Sequence, residues 1–243
     1  GQRLSGIQSV DVGYENSAVS TKPLGYDDGT TTIGGPTTQT VSLTRYLIYD
    51  DPILSYVGNV NMSGSIEYDG IAYGFQSGYL QNYSLNCAVG AVPQVNANFI
   101  VYDEMRSGYS ASGSVAHPAI HIPSQGSISI NSEWASTNRV IGMDYSVTCN
   151  RKPYYTIGSE TPVSVALLPP LEVTASVQYD VDEAFLASGY AFLGTGKEDK
   201  TVTLHIDGRD GTALAALTVP NASLRSERLN ASADGALTLT QEF

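Results

Sequence analysis

The stretch LEVTASVQYDV, residues 171–181, alternates apolar and polar side chains along its whole length. A period of two is typical of a strand with one buried and one polar face. Residues 201–207, TVTLHID, repeat the pattern. The apolar positions of the two stretches are Leu171, Val173, Ala175, Val177, Tyr179 and Val181, and Val202, Leu204 and Ile206. The sequence therefore predicts half-buried strands at both places.

The composition extends this prediction to the whole chain of 243 residues, of which 42% are hydrophobic and only 15% are charged. Low charge with abundant Thr, Val and Tyr favours strands over helices. Further strands are predicted at 40–49, 64–68, 94–102, 141–148 and 236–240. Asp-Gly pairs, which favour tight turns, occur at 28–29, 69–70, 207–208, 210–211 and 234–235. We therefore expect an all-β fold.

Helices are predicted at only two short segments, 51–56 and 182–192. Asp51 can cap the first segment, and Pro52 suits its first helical position.

An internal repetition runs through the sequence. Five features recur in the same order in the two halves, and a sixth similarity, a closing strand that ends in Glu104 or Glu242, follows them. The five features are a strand-like opening (6–16 and 140–150), a glycine-containing element (20–28 and 154–161), a Tyr-Asp pair before a helical segment (49–50 and 179–180), an Asp-Gly turn (69–73 and 210–214), and a Leu- and Asn-containing run (80–86 and 224–230). Their common order predicts a tandem duplication.

The predicted domains are residues 1–104 and 140–243, two similar β domains with a short helix each. The segment between them, 105–139, is rich in Ser, Gly and Pro. At over thirty residues it is longer than an ordinary loop, which leaves two alternatives: an ordered strap or a mobile arm.

Charge and hydropathy exclude several classes of function. The formal net charge of −12, from 24 acidic and 12 basic residues, argues against a protein that grips nucleic acid phosphates. No run of 18 apolar residues occurs, so no membrane-spanning helix is expected. The first residues lack the apolar core of a signal peptide, which predicts synthesis in the cytoplasm. Cys87 and Cys149 are expected to be buried strand cysteines.

No motif indicates catalysis. Residues 108–112, GYSAS, lack the final glycine and the following helix of a nucleophile elbow. His117 and His121 have the spacing of a metal-binding helix, but neighbouring prolines disfavour a helix, so both are expected to be linker residues. His205 is predicted to be exposed on a strand. We expect no enzyme activity, no cofactor and no metal.

The arrangement of both halves resembles the major tail tube proteins of long-tailed bacteriophages. The element NRKPYYTIGSETPVSVALLPPLEVTASVQYD, residues 150–180, places a charged, proline-containing aromatic turn and an Ile-Gly step before a long alternating strand. Residues 22–51 follow the same order with a longer excursion before the strand. The resemblance implies two tandem tube domains, each a β-sandwich or barrel with a short helix.

The same resemblance implies a function and a set of partners. Three chains would form a pseudo-hexameric ring, and stacked rings would form a hollow tail tube in the virion, made in the host cytoplasm. DNA would pass through the tube without specific binding. The expected partners are further copies of the chain, the tape measure, the tail terminator and the distal tail protein, with no membrane. An acidic and hydroxylated wall would not trap phosphates, and the polar positions of 172–180 have that character, although they would equally suit a solvated exterior.

A basic pair next to tyrosines stands out in a chain with so few cations. Arg and Tyr are enriched at protein interfaces, so the turn is predicted to contact an acidic patch on a neighbouring subunit. The alternative is an exposed turn whose tyrosines pack locally. The candidate interface residues are Arg151, Lys152, Tyr154 and Tyr155, with Asp27 and Asp28 as one candidate for the acidic patch.

Two other classes of function fit an all-β chain. One is another virion component on a similar sandwich, such as a distal tail, neck or head-decoration protein. The other is a carbohydrate-binding β-sandwich module, which 16 tyrosines and a single tryptophan, Trp134, could serve. A sugar platform needs several aromatics on one face, and the tyrosines here are scattered among turns and strands.

Overall fold

Residues Glu172–Asp180 form a strand of a large antiparallel sheet in a computed structural model of the chain. Leu171, predicted as the first apolar position of this strand, precedes it and is 39% exposed. The structure describes residues 3–21, 31–109, 117–132, 139–187, 200–231 and 237–243. Within them nearly all regular structure is strand, so the predicted all-β class is confirmed. Ala175, Val177 and Tyr179 are buried, as the alternation predicts, and Val202, Leu204 and Ile206 are buried on their own strand.

Fifteen strands and two short helices follow one another along the described chain. The strands of the first part are β1 (Ile7–Thr21), β2 (Thr31–Tyr46), β3 (Met62–Tyr68), β4 (Ile71–Ala88), β5 (Gln94–Val101), β6 (Arg106–Ser107) and β7 (Pro123–Ser132). The strands of the second part are β8 (Val140–Thr148), β9 (Arg151–Tyr154), β10 (Ser164–Leu167), β11 (Glu172–Asp180), β12 (Lys200–Gly208), β13 (Ala213–Ala222), β14 (Ser226–Ala231) and β15 (Leu237–Glu242). A 3₁₀ helix spans Pro52–Tyr56, and α1 spans Glu183–Ala187.

The strands form one large sheet and two small ones. The large sheet has the order β1-β2-β5-β4-β8-β11-β15-β14, with β3 and β6 attached to β4. The second sheet has the order β13-β12-β7, and β9 and β10 form a separate hairpin. Every pairing is antiparallel. The large sheet therefore runs without interruption from the first half of the chain into the second.

One face of the large sheet is apolar and buried. Its side chains share a single core cluster with Ile53 of the 3₁₀ helix, Phe185 of α1 and the inner residues of the second sheet. The buried residues of this face include Val41, Leu43, Tyr83, Leu85, Val95, Ala97, Phe99, Met143, Tyr145, Val147, Ala175, Val177, Tyr179 and Leu239. Burial of apolar area at about 25 cal/mol per Å² makes this face the main source of stability.

Helix caps and turns follow the sequence prediction in part. Asp51 caps the 3₁₀ helix, because its carboxylate accepts a hydrogen bond from the Ile53 amide at 3.1 Å. Asp69 and Gly70 join β3 to β4 with φ of 49° and 75°, the left-handed conformations that a tight hairpin requires.

Other Asp-Gly pairs and the second helix depart from the prediction or lie outside the described residues. Asp210 and Gly211 lie in the turn between β12 and β13, whereas the 207–208 pair ends β12 itself. The pairs at 28–29 and 234–235 lie outside the described residues, as does 188–192 of the second predicted helix.

The segment 105–139 contains regular structure that composition did not predict. Strand β7 pairs with β12, which gives the second sheet its third strand. The amide of His121 donates to the Ile48 carbonyl at 2.7 Å, and its Nδ1 lies 2.7 Å from the Asp210 carboxylate. His121 therefore lies in the connecting segment, as predicted, and contacts residues of both halves of the chain. His117 is exposed, and so is His205, as predicted.

Both cysteines are buried and free, as predicted. Burial, and secondarily the charge of Asp144, raises the pKa of Cys87 to about 11. A rise of this size from 9.0 lowers the thiolate fraction at pH 8 about 100-fold. We expect neither thiol to react with a disulfide reagent in the native protein, and both to react in denaturant. Rapid labelling of Cys87 under native conditions would show that the β4–β8 region opens easily.

Candidate assembly surfaces

The two halves of the large sheet use their strands in the same order. In the first half the order across the sheet is β1-β2-β5-β4, and in the second it is β8-β11-β15-β14. In each half, the first two of these four strands along the chain lie side by side. The last of the four comes next across the sheet, followed by the one that precedes it in the chain. The repeated Asp-Gly turns lie in the β3–β4 and β12–β13 hairpins. The run 80–86 lies on β4, and the run 224–230 begins just before β14 and continues into it.

The pairing registers agree residue by residue. Leu85 pairs with Val95 and Leu229 pairs with Leu239, at matching places in the two halves. The pairs on the other side correspond as well: Val10 with Leu43 and Val12 with Val41 match Met143 with Val177 and Tyr145 with Ala175. Because a register slip of one residue would exchange the two faces of a strand, this agreement defines equivalent positions in these four strands of each half.

A β-bulge occurs at the same position in both halves. Between β1 and β2 the pairing skips Gln8, and between β8 and β11 it skips Ile141. In both halves the pairing resumes at the residue after the skipped one, Ser9 in the first half and Gly142 in the second. Bulges bend and twist a sheet locally, so the two halves are shaped alike at this point.

The halves meet where β4 pairs with β8. Seven residue pairs connect the two strands, from Asn82 with Thr148 to Ala88 with Gly142. On the apolar face Leu85 lies opposite Tyr145, with exposed fractions of 1% and 8%. On the polar face the Asn86 amide donates to the Asp144 carboxylate at 2.6 Å. This junction joins the last-but-one strand of one half to the first strand of the other.

Strands β1 and β14 form the two outer edges of the large sheet. Within the described residues each pairs with a neighbour on one side only. Both edges carry apolar side chains that remain exposed: Val12 is 47% exposed and Leu229 is 52% exposed. Their equivalents at the junction, Tyr145 and Leu85, are buried. Open edges with apolar side chains are surfaces that natural proteins normally cover or pair.

The outer face of the large sheet is mostly polar. Ser146 and Thr174 share a hydrogen bond of 2.6 Å between their hydroxyls, and Thr44 donates to Asn96 at 2.8 Å. The polar positions include Thr40, Ser42 and Thr44 on β2, Asn96 and Asn98 on β5, Ser84 and Asn86 on β4, Asp144, Ser146 and Thr148 on β8, Glu172, Thr174, Ser176 and Gln178 on β11, and Thr238, Thr240 and Glu242 on β15. None of these positions on the six inner strands carries a lysine or arginine, but Arg228 lies on this face of the edge strand β14.

A shallow concavity of about 380 Å³ lies over the junction on this face. Its lining includes Asn86, Asp144 and Ser146, and Arg225 contributes a basic side chain. The described residues hold no group of His, Cys, Asp and Glu side chains that could bind a metal ion. The concavity therefore offers hydroxyl, amide, carboxylate and guanidinium groups.

Arg151 and Lys152 do not form one common surface. Arg151 lies on β9, and its Nε donates to the Leu80 carbonyl of β4 at 3.1 Å. Its guanidinium also lies over the Tyr79 ring, 5.5 Å from the centroid, and burial lowers its pKa. Arg151 therefore connects the second half to the first within one chain, which its sequence context did not indicate.

The neighbouring candidate residues remain available at the surface. Lys152 is exposed, with its Nζ 5.4 Å from the centroid of the Tyr154 ring, which is 47% exposed. Tyr155 is half-buried. Asp27 and Asp28 lie outside the described residues, so their approach to this hairpin stays a prediction.

A buried polar network supports the first half of the sheet. Arg45 and Asp51 approach to 3.6 Å with both side chains fully buried. The Tyr83 hydroxyl donates to Asp51 at 2.8 Å, and Arg45 Nη1 donates to the Tyr49 hydroxyl at 3.0 Å. Burial, and then the charge of Asp51, raises the pKa of Tyr83 well above its usual value.

The second half fills the corresponding place with aromatic rings. Tyr179 takes the register position of Arg45, so the Tyr-Asp pairs at 49–50 and 179–180 do not occupy equivalent positions. The Tyr179 ring lies 6.1 Å from that of Phe185. The two halves thus share strand order while differing in core chemistry.

No family model matches this chain, and a search of curated proteins finds no match to its sequence. In the described part of the chain, neither helix approaches the length and hydrophobicity that a membrane crossing requires.

Proposed function

We propose that this chain is a virion structural protein that assembles into stacked rings and forms the tail tube of a long-tailed bacteriophage, a conduit for DNA ejection. The observation that carries the proposal is the β4–β8 junction, which joins two units of the same strand order head to tail. Such a heterologous contact leaves one unmatched edge at each end, β1 and β14. Head-to-tail contacts of this kind close into rings when the rotation permits.

A tandem duplication of one tube domain explains these features together. The shared strand order, the shared registers and the equivalent bulges all support it. With two domains in each chain, three chains would supply six units to a ring. The Arg45–Asp51 and Tyr179–Phe185 sites differ in their residues. Such a difference is expected after a duplication, because two domains fused in one chain can change independently.

The polar face of the large sheet is proposed to line the lumen. DNA must slide along such a wall, and the hydroxyl, amide and carboxylate groups of the six inner strands, which carry no lysine or arginine on this face, offer phosphates no strong contact. The opposite face is occupied by the core. The proposed partners of the protein in the virion are the tape measure, tail terminator and distal tail proteins.

Negative-stain electron microscopy of the purified, concentrated protein at moderate salt tests this function. Hollow tubes or stacked rings with three-fold or pseudo-six-fold end views are the expected result. Single closed rings that never stack would favour a neck or distal tail role. Monomers at every concentration would overturn the tube proposal and favour a binding module.

A further inference from the structure

We infer that copies of this chain join through their sheet edges, with β14 of one copy paired antiparallel to β1 of the next in the register that sets Leu229 opposite Val12. This inference rests on the proposed function, because it names the contact that would close a ring. Its partner is a second copy of the same chain.

The register follows from the junction inside the chain. Strand β14 is equivalent to the part of β4 that pairs with β8, and β1 is equivalent to β8. Replacing each junction residue by its equivalent gives the pairing between copies. Thus Leu85–Tyr145 becomes Leu229–Val12, Asn86–Asp144 becomes Asn230–Asp11, Ser84–Ser146 becomes Arg228–Gly13, and Cys87–Met143 becomes Ala231–Val10.

This pairing covers the apolar side chains that the edges expose. Val10 and Val12 are 38% and 47% exposed on β1, whereas the junction equivalents Met143 and Tyr145 are 1% and 8% exposed. Leu229 is 52% exposed, against 1% for Leu85. At these three edge positions the side chain is exposed, whereas its equivalent at the junction, where a neighbouring strand is present, is buried.

The pairing also reproduces a side-chain hydrogen bond. Asn86 donates to Asp144 at 2.6 Å across the junction. The equivalent residues are again an asparagine and an aspartate, Asn230 on β14 and Asp11 on β1, and both are exposed in the single chain. The same two residue types at equivalent positions support a shared contact.

Charge complementarity favours the same register. Arg228 is an exposed cation on the polar face of β14, and it would lie opposite Gly13. Asp11 and Glu15, both exposed, flank Gly13 on the same face of β1. Diagonal neighbours across antiparallel strands lie about 7–8 Å apart, within reach of an arginine side chain. At the junction the corresponding residues Ser84 and Ser146 are neutral, so the charges distinguish the contact between chains from the contact within one.

Disulfide trapping in the full-length chain tests the register. The variant Val12→Cys/Leu229→Cys is expected to form disulfides between chains, because directly opposite side chains have Cβ atoms close to disulfide distance. The matched control Val10→Cys/Leu229→Cys is displaced by two residues on the same face, and should cross-link roughly tenfold more slowly. Native Cys87 and Cys149 are buried and contribute little background.

The outcomes separate this inference from the proposed function. Equal cross-linking in the two variants would overturn the register, and rings or tubes that form without cross-linking at 12 and 229 would overturn the edge contact while the proposed function stands. If electron microscopy shows no assembly of the unmodified protein at any concentration, both fail.

Charge reversal gives an independent readout. Arg228→Glu is expected to raise the concentration needed for assembly roughly tenfold or more, and Asp11→Lys in the same chain should restore most of the loss. Arg209→Glu, an exposed arginine in the β12–β13 turn, is the matched control and should assemble normally. If Arg228→Glu assembles like this control, the charge contact is wrong.

Discussion

Asp51→Asn is expected to lower the free energy of unfolding by about 3–5 kcal/mol, the usual effect of leaving one partner of a buried ion pair without the other. Arg45 and Asp51 are both fully buried, so water cannot replace the missing carboxylate. Asparagine retains a side-chain oxygen that can cap the 3₁₀ helix, which isolates the loss of charge from the loss of the cap. Chemical denaturation followed by tryptophan fluorescence or circular dichroism measures the change.

Two further variants test the cause. Tyr83→Phe removes one hydrogen bond to Asp51 and leaves the ion pair, so its loss should be about 1 kcal/mol. Arg45→Tyr/Asp51→Phe imitates the aromatic pair of the second half and should recover most of the stability lost in Asp51→Asn, because apolar replacement of a buried pair is often neutral or stabilising. A double variant less stable than Asp51→Asn would mean that the two sites are packed differently.

Thr40→Lys/Gln178→Lys is expected to convert the polar face into a surface that retains DNA. Both residues are exposed on that face, one on each half of the sheet. A three-chain ring would then carry about six added cations, and six phosphate contacts lose roughly 1,000-fold in affinity between about 50 and 200 mM salt. Tubes of the variant should therefore hold short duplex DNA at low salt and release it at high salt, whereas unmodified tubes hold none.

Nuclease protection decides where the DNA lies. If the polar face lines the lumen, DNA retained by the variant resists digestion. Ile157→Lys/Val163→Lys adds the same charge to the exposed loop between β9 and β10, and DNA bound there should be digested. Equal digestion in both variants would place the polar face on the outside of the tube and contradict the proposed lumen.

Local patterns explain which parts of the fold the sequence predicts. The alternation at 171–181 specifies a strand and its buried face, because both depend only on neighbouring residues. The caps at Asp51 and the turn at Asp69–Gly70 are equally local. The order of strands across the large sheet depends on pairings between distant residues, which no single stretch encodes.

At the candidate assembly surfaces, too, the sequence predicts local features but not contacts between distant residues. The composition around Arg151 indicates an interface residue, but only the fold reveals that its guanidinium lies against β4 of the same chain. The edge residues Val12 and Leu229 were missed, since an apolar residue in a short alternating stretch looks the same whether its strand is central or at an edge. The repeated features at 6–16 and 224–230 are the signal that could have indicated them, once the registers align the two halves.

The β4–β8 junction also affects how an assembly responds to dilution. Its two strands belong to one polypeptide, so their effective concentration is set by the connecting residues and does not fall when the protein is diluted. Only contacts between chains obey mass action. A three-chain ring would need three contacts between chains where a ring of six separate domains would need six, and its smallest dissociation product would be a pair of joined units.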